Sequence, residues 1–455
     1  MASTQALKAF VLLPDDADRA ILLGRVWSDR LDGPCPVVLR DGRLFDLSGI
    51  SATMSGLLER PDLMASVTVD GLPDLGPLDD FLDGTAGRML APVDLQAVKA
   101  AGVTFADSML ERVIEEQARG DSARAQDVRA RLAPVIGDSL RGVRAGSEKA
   151  GQVKALLQEM GLWSQYLEVG IGPDAEIFTK AQPMASVGCG DRVGIHPMSE
   201  WNNPEPEVVL VVRSDGTILG ATLGNDVNLR DVEGRSALLL GKAKDNNASC
   251  AIGPFIRLFD DGFTLGDLEQ VRVSLRVEGE DGFVMTGESP MEAISRSPSD
   301  LVGQLLNRSH QYPDGAVLFL GTMFAPVKDR RGAGQGFTHE VGDRVEIASP
   351  RLGRLVNWVD RTDRCPPWDF GVGALMRNLV GPEGLAAWPG IVRRGRDHVA
   401  GFIDSPRPRE IRAMRLARVD YGLKLRVGQK AIAQDGGWKL GPVAGFRRSD
   451  RSHGR

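Results

Sequence analysis

Apolar residues recur at two different spacings along this chain, and the change between them predicts its organisation. From Ile21 to about Pro77, runs such as Val37-Val38-Leu39 and Leu44-Phe45-Asp46-Leu47 alternate with the turn signals Asp32-Gly33 and Asp41-Gly42, which predicts a small N-terminal β unit. Short helices are expected over 55–63 and 78–82. Longer ones are expected over 108–119, 121–132 and 147–160, where apolar positions recur at helical spacing among charges. Beyond Val169 the pattern turns to short β-branched or apolar segments, at 208–212, 218–223, 271–277, 316–320 and 344–347, separated by Asp-Gly or Gly-Asp. Such spacing favours a mixed or mainly antiparallel β architecture of the α+β class over alternating βαβ units. The expected division is a small domain over 1–90, a main domain over 91–385 and a tail over 386–455.

The segment from Trp201 to Asp231 carries the most chemistry. Glu205 and Glu207 stand two apart at the start of an apolar strand, so both carboxylates leave one face. With residues 214–217 as the loop, Arg213 opposes Ile218, and the same offset carried down the hairpin places Asp226 opposite Glu205. A bulge would shift this register by one residue. Three carboxylates at one hairpin end repel one another unless a cation neutralises them or protons are retained. An oxygen-rich site with room for water or substrate suits Mg²⁺ or Mn²⁺ better than zinc. The plainer alternative makes Glu205 and Glu207 the solvated positions of an alternating strand, against which Asn202, Asn203, Asn225 and Asn228 argue for a polar pocket. Lys244, opening Lys244-Asp245-Asn246-Asn247, is either a surface lysine or a group that stabilises a developing oxyanion or moves a proton.

Composition narrows the classes. The chain has 455 residues, 42% hydrophobic and 25% charged, enough to bury a substantial core. Its net charge of -6 is uneven: residues 391–455 hold 16 Lys+Arg and 6 Asp+Glu, which leaves the body with 39 and 55. An acidic body without a basic face or motif speaks against nucleic acid as a partner, and the tail is expected to be a poorly packed basic appendage. No stretch reaches the roughly 20 apolar residues of a membrane span, and the N-terminus lacks a signal-peptide pattern, so a cytoplasmic protein without a membrane partner is expected. The four cysteines lie far apart and read as reduced, mostly buried thiols.

Several ordered motifs resemble the fumarylacetoacetate hydrolase superfamily over roughly residues 90–380. Glu205-Pro206-Glu207 matches its Glu-x-Glu metal pair, and Asn225-Asp226 through Leu229-Arg230-Asp231 its Asn-Asp step. Lys244 before Gly253-Pro254 matches its active-site lysine, and Gly321-Thr322 its strand-end Gly-Thr. The resemblance implies a mixed β-roll core with an added N-terminal domain, usually a homodimer, and Mg²⁺ or Mn²⁺ on Glu205, Glu207 and Asp226. It implies a site lined by Lys180, Gln182, Arg230 and Thr322, with a substrate contact from His310 or Tyr312 in the His-Gln-Tyr-Pro-Asp-Gly segment. The stretch 103–116 lacks the histidine of the family's C–C hydrolases and offers Glu111 and Glu115 instead; with Lys244, these are candidate bases. The likeness is stronger to the sugar-acid dehydratase branch. It implies dehydration of a 2-keto-3-deoxypentonate to 2,5-dioxopentanoate through an enolate, with C–C hydrolysis of an acylpyruvate-like diketo acid or decarboxylation of a 2-oxo acid as alternatives.

Overall fold

Strand Pro206–Val212 shows why the centre of this molecule is a sheet: it has no polar position after Glu207, and every residue in it is buried. Val208, Leu210 and Val212 enter one hydrophobic core, while Val209 and Val211 enter a second on the opposite face. A strand buried on both faces reads as a continuous β-branched run rather than an alternation. The computed structural model describes residues 7–140, 143–324 and 326–387.

Around this strand an eleven-stranded sheet is assembled. Pro206–Val212 pairs with Ile218–Asp226 on one side and with Ala316–Phe319 on the other; Ala316–Phe319 then runs parallel to Ala97–Ala101, which pairs with Ile177–Ala181. In the other direction Ile218–Asp226 pairs with Cys250–Leu258, and Leu22–Ser28 adds to that strand with Leu22 opposite Arg257. The N-terminal strands Gly33–Arg40, Arg43–Asp46, Asp74–Pro77 and Gly87–Leu90 extend the same sheet. A second sheet of five strands includes Arg272–Glu278, Arg344–Ser349 and Gly353–Arg361. Both sheets are mainly antiparallel, each with one parallel pair, so the expected α+β class with hairpin connections holds.

The helices fall largely where apolar spacing places them. Leu78–Leu82 matches its expected span, and Ala106–Ala118, Ser122–Leu140 and Glu148–Glu159 correspond to the three longer ones. The single helix expected over 55–63 is instead two, Met54–Leu58 and Leu63–Thr68. Pro61 lies between them and has no amide to continue the first. Ala106–Ala118 closes on Arg119 in the left-handed conformation, φ 57°, and packs Met109, Val113 and Ile114 into a third core with Val128 and Leu132. All four cysteines are buried and free. No helix among the described residues is long and apolar enough to cross a membrane. One compact unit extends to Gly381 and another begins at Pro382; beyond residue 387 the basic tail lies outside the described residues.

Candidate active site

The catalytic geometry begins with the hairpin. Pro206 opposes Asn225 and Glu207 opposes Gly224, and the Asp226 amide donates to the Glu205 carbonyl at 3.0 Å. Glu205, Glu207, Gly224 and Asp226 therefore share one face, and carboxylate oxygens of the three acids lie within 4.8 Å of one another. None of the three is more than 2% exposed, which rules out the reading of Glu205 and Glu207 as solvated strand positions.

Two lysines close on this face. Lys244, at the end of the short helix Leu240–Lys244, is 2% exposed; its Nζ donates to Glu205 and, at 3.0 Å, to Asp226 Oδ2. Lys180, fully buried on strand Ile177–Ala181, places Nζ 2.8 Å from Asp226 Oδ1 and donates to the Lys244 carbonyl at 2.6 Å. Burial works against a charged Lys244, but Asp226 and Glu205 outweigh it and raise its pKa, so it stands here as an ammonium.

Behind the triad lies a chain of alternating charges. Arg112 bridges Glu205 to Glu115 and Glu233, Arg230 bridges Glu115 to Glu111, and Arg129 caps Glu111. Arg230 also lies over the Trp201 ring, 4.4 Å from its centroid. Glu111 and Glu115 are thus each held by two guanidiniums, and Glu111 is kept below its usual range by Arg129 and Arg230 despite its burial. Neither lines the cleft over the triad, and Arg230 is spent on this network. Gln182 is not among the residues lining the cleft and donates to Asp245 at 3.1 Å. Tyr312 precedes the far end of strand Ala316–Phe319, its ring 5.3 Å from Lys99 Nζ, and is not brought to the triad. Thr322 is, with Oγ1 3.4 Å from Glu207.

Three groups that no motif announced complete the site. Arg112 and Glu233 form the bridge just described, and Glu176 lines the same cleft as the triad together with Phe178 and Ser108. Glu176 makes no ion pair among the described residues; burial raises its pKa, partly offset by Arg112 and Lys244. Arg112, three residues before Glu115 on one helix, was an available signal for their pairing, whereas Glu176, just ahead of the strand Ile177–Ala181, carried none.

The donor set fits a hard divalent cation. This cluster, buried except for the partly exposed Glu176 and Arg129, brings seven carboxyls (Glu111, Glu115, Glu176, Glu205, Glu207, Asp226 and Glu233) against five cations (Arg112, Arg129, Lys180, Arg230 and Lys244). The uncompensated charge falls on Glu207: it receives only the Gly321 amide at 2.7 Å and the Thr322 hydroxyl, and burial, Asp226 and Glu205 push its pKa well up. Glu205, by contrast, is held down at about 2, because Lys244 and Arg112 overcome its burial. Oxygen-only ligands and a shortfall of positive charge suit Mg²⁺ or Mn²⁺.

Two measurable consequences arise here. Gly321 has φ 102°, and a Cβ on it would lie 2.0 Å from Thr104 Oγ1 and 3.0 Å from the Ala101 carbonyl. Gly321→Ala should therefore lower stability by about 1–3 kcal/mol in denaturant titrations and weaken divalent-cation binding by displacing the amide on Glu207. Glu233 titrates at about 7, raised by burial against the pull of Arg112 2.8 Å away. Between its ordinary 4.5 and that value the folded state keeps a proton that the unfolded chain has lost, so stability should fall as pH rises through this window and level off above it. Glu233→Gln should flatten that slope in thermal melts of metal-free protein.

Comparison with known proteins accords with this geometry. Residues 152–360 match the family model for the fumarylacetoacetate (FAA) hydrolase C-terminal domain. A probable 2-keto-3-deoxyxylonate dehydratase of Haloferax volcanii is 29% identical over 328 residues, 70% of this chain and 93% of that protein. A 2-dehydro-3-deoxy-D-arabinonate dehydratase of Saccharolobus solfataricus is 33% identical over 186 residues; this match takes in 41% of this chain and only 59% of that protein. Among solved structures, a 2-keto-3-deoxy-D-arabinonate dehydratase complexed with magnesium and 2,5-dioxopentanoate has the same fold, with a TM-score of 0.53 and 22% identity over 75% of this chain and 99% of that one. Its apo form gives a TM-score of 0.52 over the same shares. Over residues 152–360 the chain is therefore similar to the C-terminal domain of the fumarylacetoacetate hydrolase family.

Proposed function

We propose that this protein is a Mg²⁺- or Mn²⁺-dependent hydro-lyase that converts a 2-keto-3-deoxypentonate to 2,5-dioxopentanoate. The observation that carries the reading is a buried three-carboxylate site faced by two proton-handling groups of opposite kind, Glu176 and Lys244, across one cleft. The names of the relatives and the magnesium complex of the structural neighbour support it.

A divalent cation held by Glu205, Glu207 and Asp226 would supply Lewis-acid polarisation of a 2-oxo acid, which makes its C3 hydrogens acidic. Glu176 is the base: it lies in the cleft without a cation partner, and a raised pKa brings a carboxylate toward the range where it both accepts and returns a proton. The C3–H bond breaks to Glu176, the C4–O bond breaks, and the departing hydroxide takes a proton to leave as water. Lys244, held charged by Asp226 and Glu205, donates on the opposite side or stabilises negative charge on the substrate. Loss of a proton from C5 of the resulting 3,4-ene and return of a proton to C3 move the double bond to C4–C5, and this enol passes its hydroxyl proton to C4 to give the dioxo acid. Glu111, Glu115 and Arg230 keep Arg112, and through it Glu205, in place.

Exhaustive chelation should abolish turnover of a 2-keto-3-deoxypentonate, read by coupling to a semialdehyde dehydrogenase, and added Mg²⁺ should restore it. Undiminished activity after chelation would remove the metal from the reaction.

A further inference from the structure

A second built cavity opens between the N-terminal strands and the segment after Arg361, and it shares no lining residue with the cleft over the triad. Its floor is set by strand register: Trp27 opposes Arg88 and Arg25 opposes Leu90, so Arg25, Trp27, Arg88 and Leu90 project from one face of two paired strands. Its far wall is Trp368 and Phe370, with Phe370 edge-on to Trp27 at 5.1 Å.

Arg25 is the informative residue. It is 5% exposed, yet among the described residues its guanidinium makes a single hydrogen bond, to the Val93 carbonyl at 3.3 Å. The nearest carboxylate, Asp94, is 3.9 Å away and already accepts from the amides of Met54, Ser55 and Leu95. Buried guanidiniums are ordinarily paired, and this one retains most of its five donors. Arg88 makes no hydrogen bond or ion pair among the described residues. Of the two carboxyls on the same cavity, Asp369 is exposed to solvent, and Asp191 is occupied by the Gly188 amide at 3.0 Å, with burial raising its pKa, so they offset the two arginines poorly. The cavity measures about 140 Å³. That is close to the volume that takes one benzene ring in an engineered protein cavity, about 150 Å³.

We infer that this cavity binds a small organic carboxylate, with the carboxylate between Arg25 and Arg88 and a flat or short carbon body against Trp368. The pairing of two uncommitted guanidiniums with an aromatic wall separates this class from inorganic anions, which have no body to bury.

The test is a titration of the full chain with benzoate, followed by tryptophan fluorescence and by calorimetry, with saturating Mg²⁺ present. Saturable binding is expected, weakened about tenfold or more by Arg88→Gln, an exposed position, through loss of a charged contact. Trp368→Ala should weaken it as well, whereas Glu207→Gln should leave it unchanged. Benzyl alcohol, of the same shape without the charge, should not bind. The inference is overturned if Arg88→Gln binds benzoate as tightly as the wild type, if benzyl alcohol or inorganic phosphate binds equally well, or if Glu207→Gln abolishes the signal, which would place the ligand in the catalytic cleft.

Discussion

Glu207→Gln should reduce divalent-cation affinity by at least about 100-fold and reduce turnover to the background rate, while the metal-free variant melts no lower than the metal-free wild type. The two halves of this result have one cause. Glu207 is the member of the triad without a cation of its own, so its carboxylate is both the strongest attraction for an added ion and the least comfortable charge in the empty protein. The amide isostere can accept from the Gly321 amide at its oxygen and turn its NH2 toward the Thr322 hydroxyl, and it removes the charge. Calorimetric titration with Mg²⁺ and thermal melts with and without metal measure both effects. A variant that bound Mg²⁺ like the wild type would mean that the ion sits elsewhere.

Glu176→Gln should behave in the complementary way. As the proton acceptor it contributes to the chemical step, where removal of a positioned base typically lowers kcat by about 10²–10⁴-fold. It is not among the triad, so Mg²⁺ affinity should stay within a few-fold of wild type. Solvent deuterium exchange at C3 of a bound, unreactive 2-oxo acid should disappear in the variant. If kcat survives in Glu176→Gln and falls instead in Glu111→Gln and Glu115→Gln with metal binding intact, the base belongs to the helix Ala106–Ala118. The doubly paired state of those two carboxylates argues against that outcome.

Much of this site was legible in the sequence because it is built from a local hairpin. The offset read from the loop places Asp226 opposite Glu205, and the observed pairing does the same from Pro206–Asn225 up to Val211–Gly220. At the turn itself the register differs: Val212, not Arg213, opposes Ile218, and an irregularity at Val211–Val212 restores the expected offset. The expectation survived because the bulge is confined to the loop end, away from the carboxylates. Glu176 was not legible for the opposite reason. Its strand reaches the site only by pairing with Ala97–Ala101, which in turn runs beside Ala316–Phe319, and such long-range partners leave no periodic trace. Arg112 stands between Glu111 and Glu115 on one helix, and the sequence offered no way to choose which charges face inward; tertiary packing buried all three. Tyr312 was drawn toward the site by its motif, but the strand that follows it carries Thr322, not Tyr312, to the triad end.

The central claim is elimination of water from a 2-keto-3-deoxypentonate, and product identity tests it most directly. Purified protein with Mg²⁺ should be incubated in parallel with that sugar acid and with an acylpyruvate, and the products resolved by mass spectrometry. Elimination yields one five-carbon product lighter than the sugar acid by a single water, and no pyruvate from the acylpyruvate. Pyruvate released from the acylpyruvate, with the sugar acid recovered intact, would contradict the account and assign the same carboxylate site to C–C hydrolysis.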